Sequence, residues 1–275
     1  MSAARVALVI PCHDDGELVA EAVASVSEDE PVEVVVVDDG SSDPASLAVL
    51  ERLRGDGVDV VTQANAGPGA ARTAGVRHTS APYVYPLDAD DLLVPGALAA
   101  LADALDADPD AAVAWGDYEL FGDYDGHYRA PAAWLPWSLT YVNQYPICSL
   151  LRRSSLLAAG GWPDHGYEDW GLWLRFVEQG LGGVHAGRVV YRRRLREGGG
   201  RVLVDRGRHQ TLYAQLRQRY ARAFDARDEL RRRERPPAWK RLVYPVLFGR
   251  RAVVPFAVEA WLQRTMLRRG LRLSR

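Results

Sequence analysis

The sequence predicts an α/β fold, a mostly parallel sheet flanked by helices, with a C-terminal basic helical extension. Three observations predict it. Short apolar runs recur through the first two-thirds of the chain, separated by stretches of helical periodicity. Strands alternating with helices form parallel sheets covered on both faces. Each apolar run also ends in a polar cluster, and such sheets bind ligands beyond the carboxyl ends of their strands. Finally, charge divides the chain. Residues 1–180 carry nine arginines and no lysine against 29 acidic residues, a net of −20, whereas residues 181–275 carry a net of +18. The expected division is a catalytic-size domain over 1–205 and an Arg-rich helical extension over 206–275. With 275 residues, 48% of them hydrophobic, a sizeable core can be buried.

The first strand is "VALVI" at 6–10, followed by "PCHDD". It is too short for a signal peptide or a membrane span. "ELVAEAVASV" then places Leu18, Ala22 and Val26 on one helical face. A second strand, "VEVVVVDD" at 32–39, runs into "GSSDP", where Gly40 permits a tight turn and Ser41, Ser42 and Asp43 can cap a helix entered at Pro44. That helix carries Leu47, Leu50 and Leu53. "VDVVTQ" at 58–63 is the third strand and leads into the Gly-rich loop "NAGPGAAR", which matches neither a Walker loop nor GxGxxG. "YVYPLD" at 83–88 and "AVAWGDYELF" at 112–121 complete the strand series, and "GRVVYR" reads as a further strand. From about 206 the sequence predicts one long Arg-rich helix, interrupted by Pro236 and Pro237. Beyond it, Trp239, Phe248, Phe256 and Trp261 alternate with arginines. Pro245, Pro255, Arg250, Arg251 and Glu259 argue against a spanning helix, so the segment either lies on a membrane surface or packs on the acidic domain.

Chemistry is concentrated at the strand ends. "LDADD" places Asp88, Asp90 and Asp91 directly after a buried strand, where like charges repel unless something positive sits among them. On an extended backbone Asp88 and Asp90 share a face and Asp91 points opposite. Two such carboxylates suit a hard cation, Mn²⁺ or Mg²⁺, that leaves coordination positions for phosphates. Asp38 and Asp39 end the second strand, where one could accept hydrogen bonds from a base or ribose. Arg72 follows the Gly-rich loop and can meet a phosphate or the neighbouring aspartates. In "GYEDWGLWLRF" an apolar stripe of Trp170, Trp173, Leu174 and Val177 leaves Glu168 and Asp169 at a helix N-terminus. Beside Trp162 and Trp170, Asp169 would be partly desolvated and raised in pKa. Cys12 and Cys148 make no disulfide framework and have no neighbours at zinc spacing, as in a reducing compartment. His165 and His185 are isolated in sequence.

The stretches "VIPCHDDGELVAEAVASV", "VVVDDGSSD", "NAGPGAARTAGV", "LDADD" and "GGWPD…GYEDWGLWLR" stand in the order found in family 2 glycosyltransferases of the GT-A fold, which residues 5–195 resemble. The resemblance implies a nucleotide base pocket lined by Pro11, His13, Asp14 and Asp39, with Arg72 near the nucleotide. It implies Asp88 on the ribose side, Ala89 between the two aspartates of a D-x-D motif, and Asp90 as ligand of Mn²⁺ or Mg²⁺. Asp169 would be the general base of an inverting single displacement, with Glu168, Trp162, Arg193 and Arg194 as diphosphate or acceptor contacts. The implied partners are a nucleotide-sugar donor, most simply UDP-linked, and a glycan or lipid-linked acceptor. They extend to an anionic membrane surface met through 236–275 on the cytoplasmic side, whereas nucleic acid is disfavoured. Aromatic residues Trp134, Trp137, Tyr141 and Tyr145 lie where the family places acceptor contacts.

The chain departs from the family at Thr73, often Asn, and after "GRVVYR", where a His with Ser-rich neighbours gives way to Arg192, Arg193, Arg194 and Gly198–Gly200. There an arginine could neutralise diphosphate and the glycines could form a flap. The alternative reading is a non-catalytic scaffold of the same fold docking through its basic tail. A dehydrogenase lacks its dinucleotide fingerprint.

Overall fold

The computed structural model describes residues 3–123, 125–164, 166–196 and 201–248, the first eight of the last stretch by backbone alone. The chain runs β1 (Val6–Cys12), α1 (Gly16–Ala24), β2 (Val32–Asp38), α2 (Pro44–Gly55), β3 (Asp59–Thr62), α3 (Pro68–His78), β4 (Tyr83–Pro86), β5 (Leu92–Leu93) and α4 (Ala97–Ala107). It continues through β6 (Ala111–Gly122), β7 (Gly126–Tyr128), α5 (Pro136–Leu139), β8 (Leu150–Arg152), α6 (Arg153–Ala158), α7 (Glu168–Glu178) and β9 (Gly182–Leu195). It closes with α8 (Arg201–Arg219), α9 (Ala221–Asp225), α10 (Arg227–Glu234) and α11 (Ala238–Leu247).

One nine-stranded sheet has the order β3-β2-β1-β4-β8-β6-β9-β5, with β7 paired to β6. Strands β1 to β4 are mutually parallel and β6 runs parallel to β9, while β8 is antiparallel to both β4 and β6. Because side chains alternate along a strand, β1 divides its apolar residues between two cores. Ala7 and Val9 face one, with Val37, Trp115 and Trp173; Leu8 and Ile10 face the other, with Val36, Leu50 and Leu101. Gly75 sets the seat of α3, since a Cβ there would lie 2.3 Å from Val9 Cγ1. Gly40 turns the chain after β2 at φ +73°, with the Asn65 amide nitrogen 2.8 Å from where a Cβ would be.

The long helix expected from about 206 is three helices, α8 to α10, broken at Tyr220 and Ala226. The breaks turn the chain back onto the body. Leu216, Tyr220 and Phe224 join the core of α7, and the Arg227 guanidinium donates to the Thr140 carbonyl. Glu234 accepts from the Trp137 and Ser138 amides at the start of α5. The basic extension therefore packs on the acidic part as far as it is described. Gly198–Gly200, His165 and the tail residues Arg250, Arg251, Pro255, Phe256, Glu259 and Trp261 lie outside the described residues. No helix among the described residues is long and apolar enough to cross a membrane.

Candidate active site

The polar strand ends converge at one edge of the sheet. After β4 the chain does not stay extended. Residues 88–91 form a turn in which the Asp91 amide donates to the Asp88 carbonyl (3.0 Å). This corrects the expected facing of the aspartates, because alternation holds only on an extended backbone. Asp91 is buried, and its carboxylate lies with that of Asp88 and the Cys148 sulfur within a 4.8 Å cluster. Asp90 turns outward instead, towards the Arg196 guanidinium at 3.2 Å.

Positive charge surrounds this turn. Arg72, fully buried on α3, donates to Asp88 (2.5 Å) and to Glu168 (3.2 Å), tying the turn to the start of α7. The Arg194 amide donates to Asp91 (2.9 Å), its Nε to the Asp90 carbonyl (3.1 Å), and its Nη2 to Glu21. Arg194 thus straps the turn to α1. Arg193 is enclosed beside Tyr118 and Tyr191 and faces Asp91 and Asp88. The arginine run at the end of β9 answers the carboxylates directly, which sequence spacing alone could not reveal.

The donor set of the cluster fits a hard divalent ion. Burial holds the Cys148 thiol well above its ordinary pKa and so protonated, which leaves carboxylate oxygens as the ligands on offer. Burial, then the neighbouring Asp88 and Asp90 charges, raises Asp91 as well. Such crowding favours an added positive charge.

At the end of β2, Asp39 is buried and already committed. Its carboxylate accepts from Gln63 Nε2 (2.7 Å) and from the Ala66 and Gly67 amides (2.9 and 2.8 Å), shaping the loop before α3. Three bonds leave such a carboxylate room for one more. Asp14, at φ +56°, accepts from the Ser42 and Asp43 amides, and these bonds lower its pKa. His13 lies half exposed against Asn65 (3.2 Å), two positions after the half-buried Pro11. Ala89 is buried within the turn.

Asp169 opens α7 behind Tyr167, a residue at φ +63°. Its Oδ2 accepts from Asn143 Nδ2 (2.8 Å) and its Oδ1 from the Trp170 amide (2.7 Å). Burial, then the Glu168 charge, pushes its pKa up to about 7 against the Trp170 amide and Arg72. Trp162 is 4% exposed and packed in the core, its amide donating to Thr73 Oγ1, while its indole Nε1 has no partner among the described residues. The packing that encloses it also explains Thr73 at this position. Of the aromatics expected at the acceptor, Trp134 and Tyr145 pack on Trp115, and Trp137 on Tyr244. His185 is not isolated: its Nε2 meets Asp117 (3.1 Å).

Asp88, Asp91, Asp169 and Arg193 line one pocket of about 130 Å³ with Tyr118, Tyr128, Asn143 and Gln144. Sequence reasoning missed Asn143 and Gln144, since polar residues in the irregular "YVNQYP" carry no periodic signal. The pocket can hold a sugar-sized polar group between Asp169 and the carboxylates of the 88–91 turn.

The family model described as glycosyl transferase family 2 matches residues 7–156. The succinoglycan biosynthesis protein ExoU of Rhizobium meliloti is 40% identical over 99 residues, 35% of this chain and 29% of that protein. The O-antigen biosynthesis protein RfbC of Myxococcus xanthus is 33% identical over 165 residues, 57% of this chain and 13% of that protein. The chain thus spans less than a third of either relative. Among solved structures, Staphylococcus aureus TarS 1–349 in complex with UDP-GlcNAc superposes with a TM-score of 0.58 at 19% identity, over 71% of this chain and 60% of that one. The mannosyltransferase PcManGT from Pyrobaculum calidifontis, in complex with GDP-Man and Mn²⁺, gives 0.56 at 18% identity, over 96% of this chain and 80% of that one. Both share the mixed sheet with flanking helices, the GT-A fold.

Proposed function

The chain belongs to glycosyl transferase family 2, and from that premise we propose that it transfers a sugar from a nucleoside-diphosphate donor, UDP-linked in the simplest reading, to an acceptor hydroxyl with inversion. The observation that carries the proposal is Asp169, a carboxylate raised to about 7 and aimed into the same pocket as the 88–91 turn. A base must meet the acceptor hydroxyl and be able to hold its proton. Asn143 fixes one oxygen of Asp169 and the Trp170 amide the other, so the carboxylate is oriented before substrate arrives. Asp169 takes the hydroxyl proton as that oxygen bonds to the anomeric carbon. The bond from that carbon to the diphosphate oxygen breaks on the opposite face, which inverts the centre. Asp88 and Asp91, whose oxygens cluster, would hold a divalent cation, joined by Asp90 once it leaves Arg196. When bound, that ion supplies charge neutralisation at the leaving diphosphate. Arg72 keeps the turn and α7 at a fixed separation.

The proposal extends to the place of action, the cytoplasmic face of an anionic membrane, with a glycan or lipid-linked acceptor. On α11, Trp239, Leu242 and Val246 are 47%, 74% and 52% exposed, while Tyr244 on the far side stacks on Trp137. Arg231, Arg232, Arg235 and Arg241 line the adjoining concavity. A basic helix with an exposed apolar stripe suits an interface of anionic headgroups.

Asp169→Asn tests the base. The variant should bind donor as the native chain does and lose transfer by about 10²- to 10⁴-fold, the range of a positioned base. Full transfer by Asp169→Asn would remove the assignment.

A further inference from the structure

Gln144 stands out among the residues that line the pocket. It is only 6% exposed, and its side-chain Nε2 has no hydrogen-bond partner among the described residues. Leaving a buried donor unpaired is costly, and this one lies in the wall of the pocket that also holds Asp88 and Asp169. Two of its neighbours are already engaged. Asn143 donates to Asp169, and the Tyr128 hydroxyl donates to the Gln144 carbonyl (3.3 Å). Gln144 Nε2 is therefore a donor awaiting an acceptor atom from outside the chain.

The charges around it define that acceptor. Among the described residues, Asp88, Asp91, Glu168 and Asp169 lie about the pocket with Arg72 and Arg193, so it offers a ligand both acceptors and donors. A hydroxyl-rich ring uses both. Its hydroxyls donate to carboxylates and its oxygens accept from Gln144 and Arg193, beside Tyr118 and Tyr128, which stack on each other at 4.6 Å in the pocket wall. The pocket's place, between the turn after β4 and the residue at the head of α7, is where the reacting carbon must sit if Asp169 is the base.

We propose that Gln144 is a specificity-determining residue for the transferred sugar, its Nε2 donating to an oxygen of the pyranose. This rests on the donor-transfer reading above. In it Gln144 touches the substrate but takes no part in proton transfer.

The experiment is isothermal titration of the full chain, with Mn²⁺, against UDP, UDP-glucose, UDP-N-acetylglucosamine, UDP-glucuronate, GDP and GDP-mannose. The native chain is compared with Gln144→Met, of similar length and without the donor, and with Gln144→Asn, whose amide is withdrawn. Circular dichroism checks that each variant is folded. The expected result is that one of the sugars tightens binding over its parent diphosphate. Both variants should keep the affinity for the bare diphosphate and lose about ten-fold of the sugar-dependent gain. A gain kept in full by both variants overturns the proposal. Absence of binding by any nucleotide to the folded native chain overturns the donor reading, and this inference with it.

Discussion

Asp169 concentrates the chemistry at the scale of single residues, and its proton decides two measurable quantities. Only the ionised carboxylate can accept a proton, so activity should rise with pH and level off above about 7. At pH 5 transfer should fall about a hundred-fold below the plateau, ten-fold for each pH unit below the midpoint. A rate that stays flat from pH 5 to 8 would contradict this. Stability moves the other way. The folded state holds the Asp169 proton more tightly than the unfolded chain, so its contribution is favourable below about pH 4 and is lost as pH rises to about 7. Asp169→Asn should therefore be more stable than the native chain at pH 8, on the order of 2–4 kcal/mol, with a smaller gain at pH 5. Denaturant melts at the two pH values check it. The two aspartates of sequence interest at the strand ends behave differently. Asp39 and Asp14 were legible as strand-end carboxylates, but their partners are loop amides. A sequence shows which carboxylates end a strand. It does not show which backbone amides a loop will turn towards them.

At the scale of elements, α11 carries its own prediction. One face is fixed by Tyr244 on Trp137, and the other exposes Trp239 and Leu242. Replacing both by serine should weaken flotation with anionic vesicles at least ten-fold without altering donor affinity, since each apolar side chain buried is worth about 1.5–3 kcal/mol. Binding should fall as salt rises, because the arginines act through screened charge. Equal binding to neutral and anionic vesicles would refute the electrostatic part. The elements themselves were readable where periodicity was long. The runs at 6–10, 32–39, 58–63, 83–88 and 112–121 all form strands, and helices follow the first two, though Val19 and Val49 face inward where Leu18 and Leu47 were expected and Leu47 is 40% exposed. β5 and β8, of two and three residues, are too short to carry a period. The Arg-rich helix was legible as helix but not as three pieces, because Arg227 and Glu234 are drawn to partners about ninety positions away.

At the scale of the whole molecule, the division of charge acquires a structural meaning. The acidic strand-end cluster is ringed by Arg193, Arg194 and Arg196 from the end of β9, where the basic region begins. Composition revealed the asymmetry, and only the fold reveals that its basic half closes the site of its acidic half. The account joins these parts into one claim, that the cleft takes a nucleoside diphosphate together with a divalent ion. The most direct test is a thermal-shift comparison of UDP, GDP and dTDP, each with and without Mn²⁺, on the native chain and on Asp90→Asn. A ligand at a hundred times its dissociation constant adds about 2.7 kcal/mol, several degrees for a chain of this size. The account predicts that one diphosphate raises the midpoint when Mn²⁺ is present and that Asp90→Asn loses this metal-dependent part. A folded native chain whose midpoint no diphosphate moves, with the ion or without it, would contradict the claim.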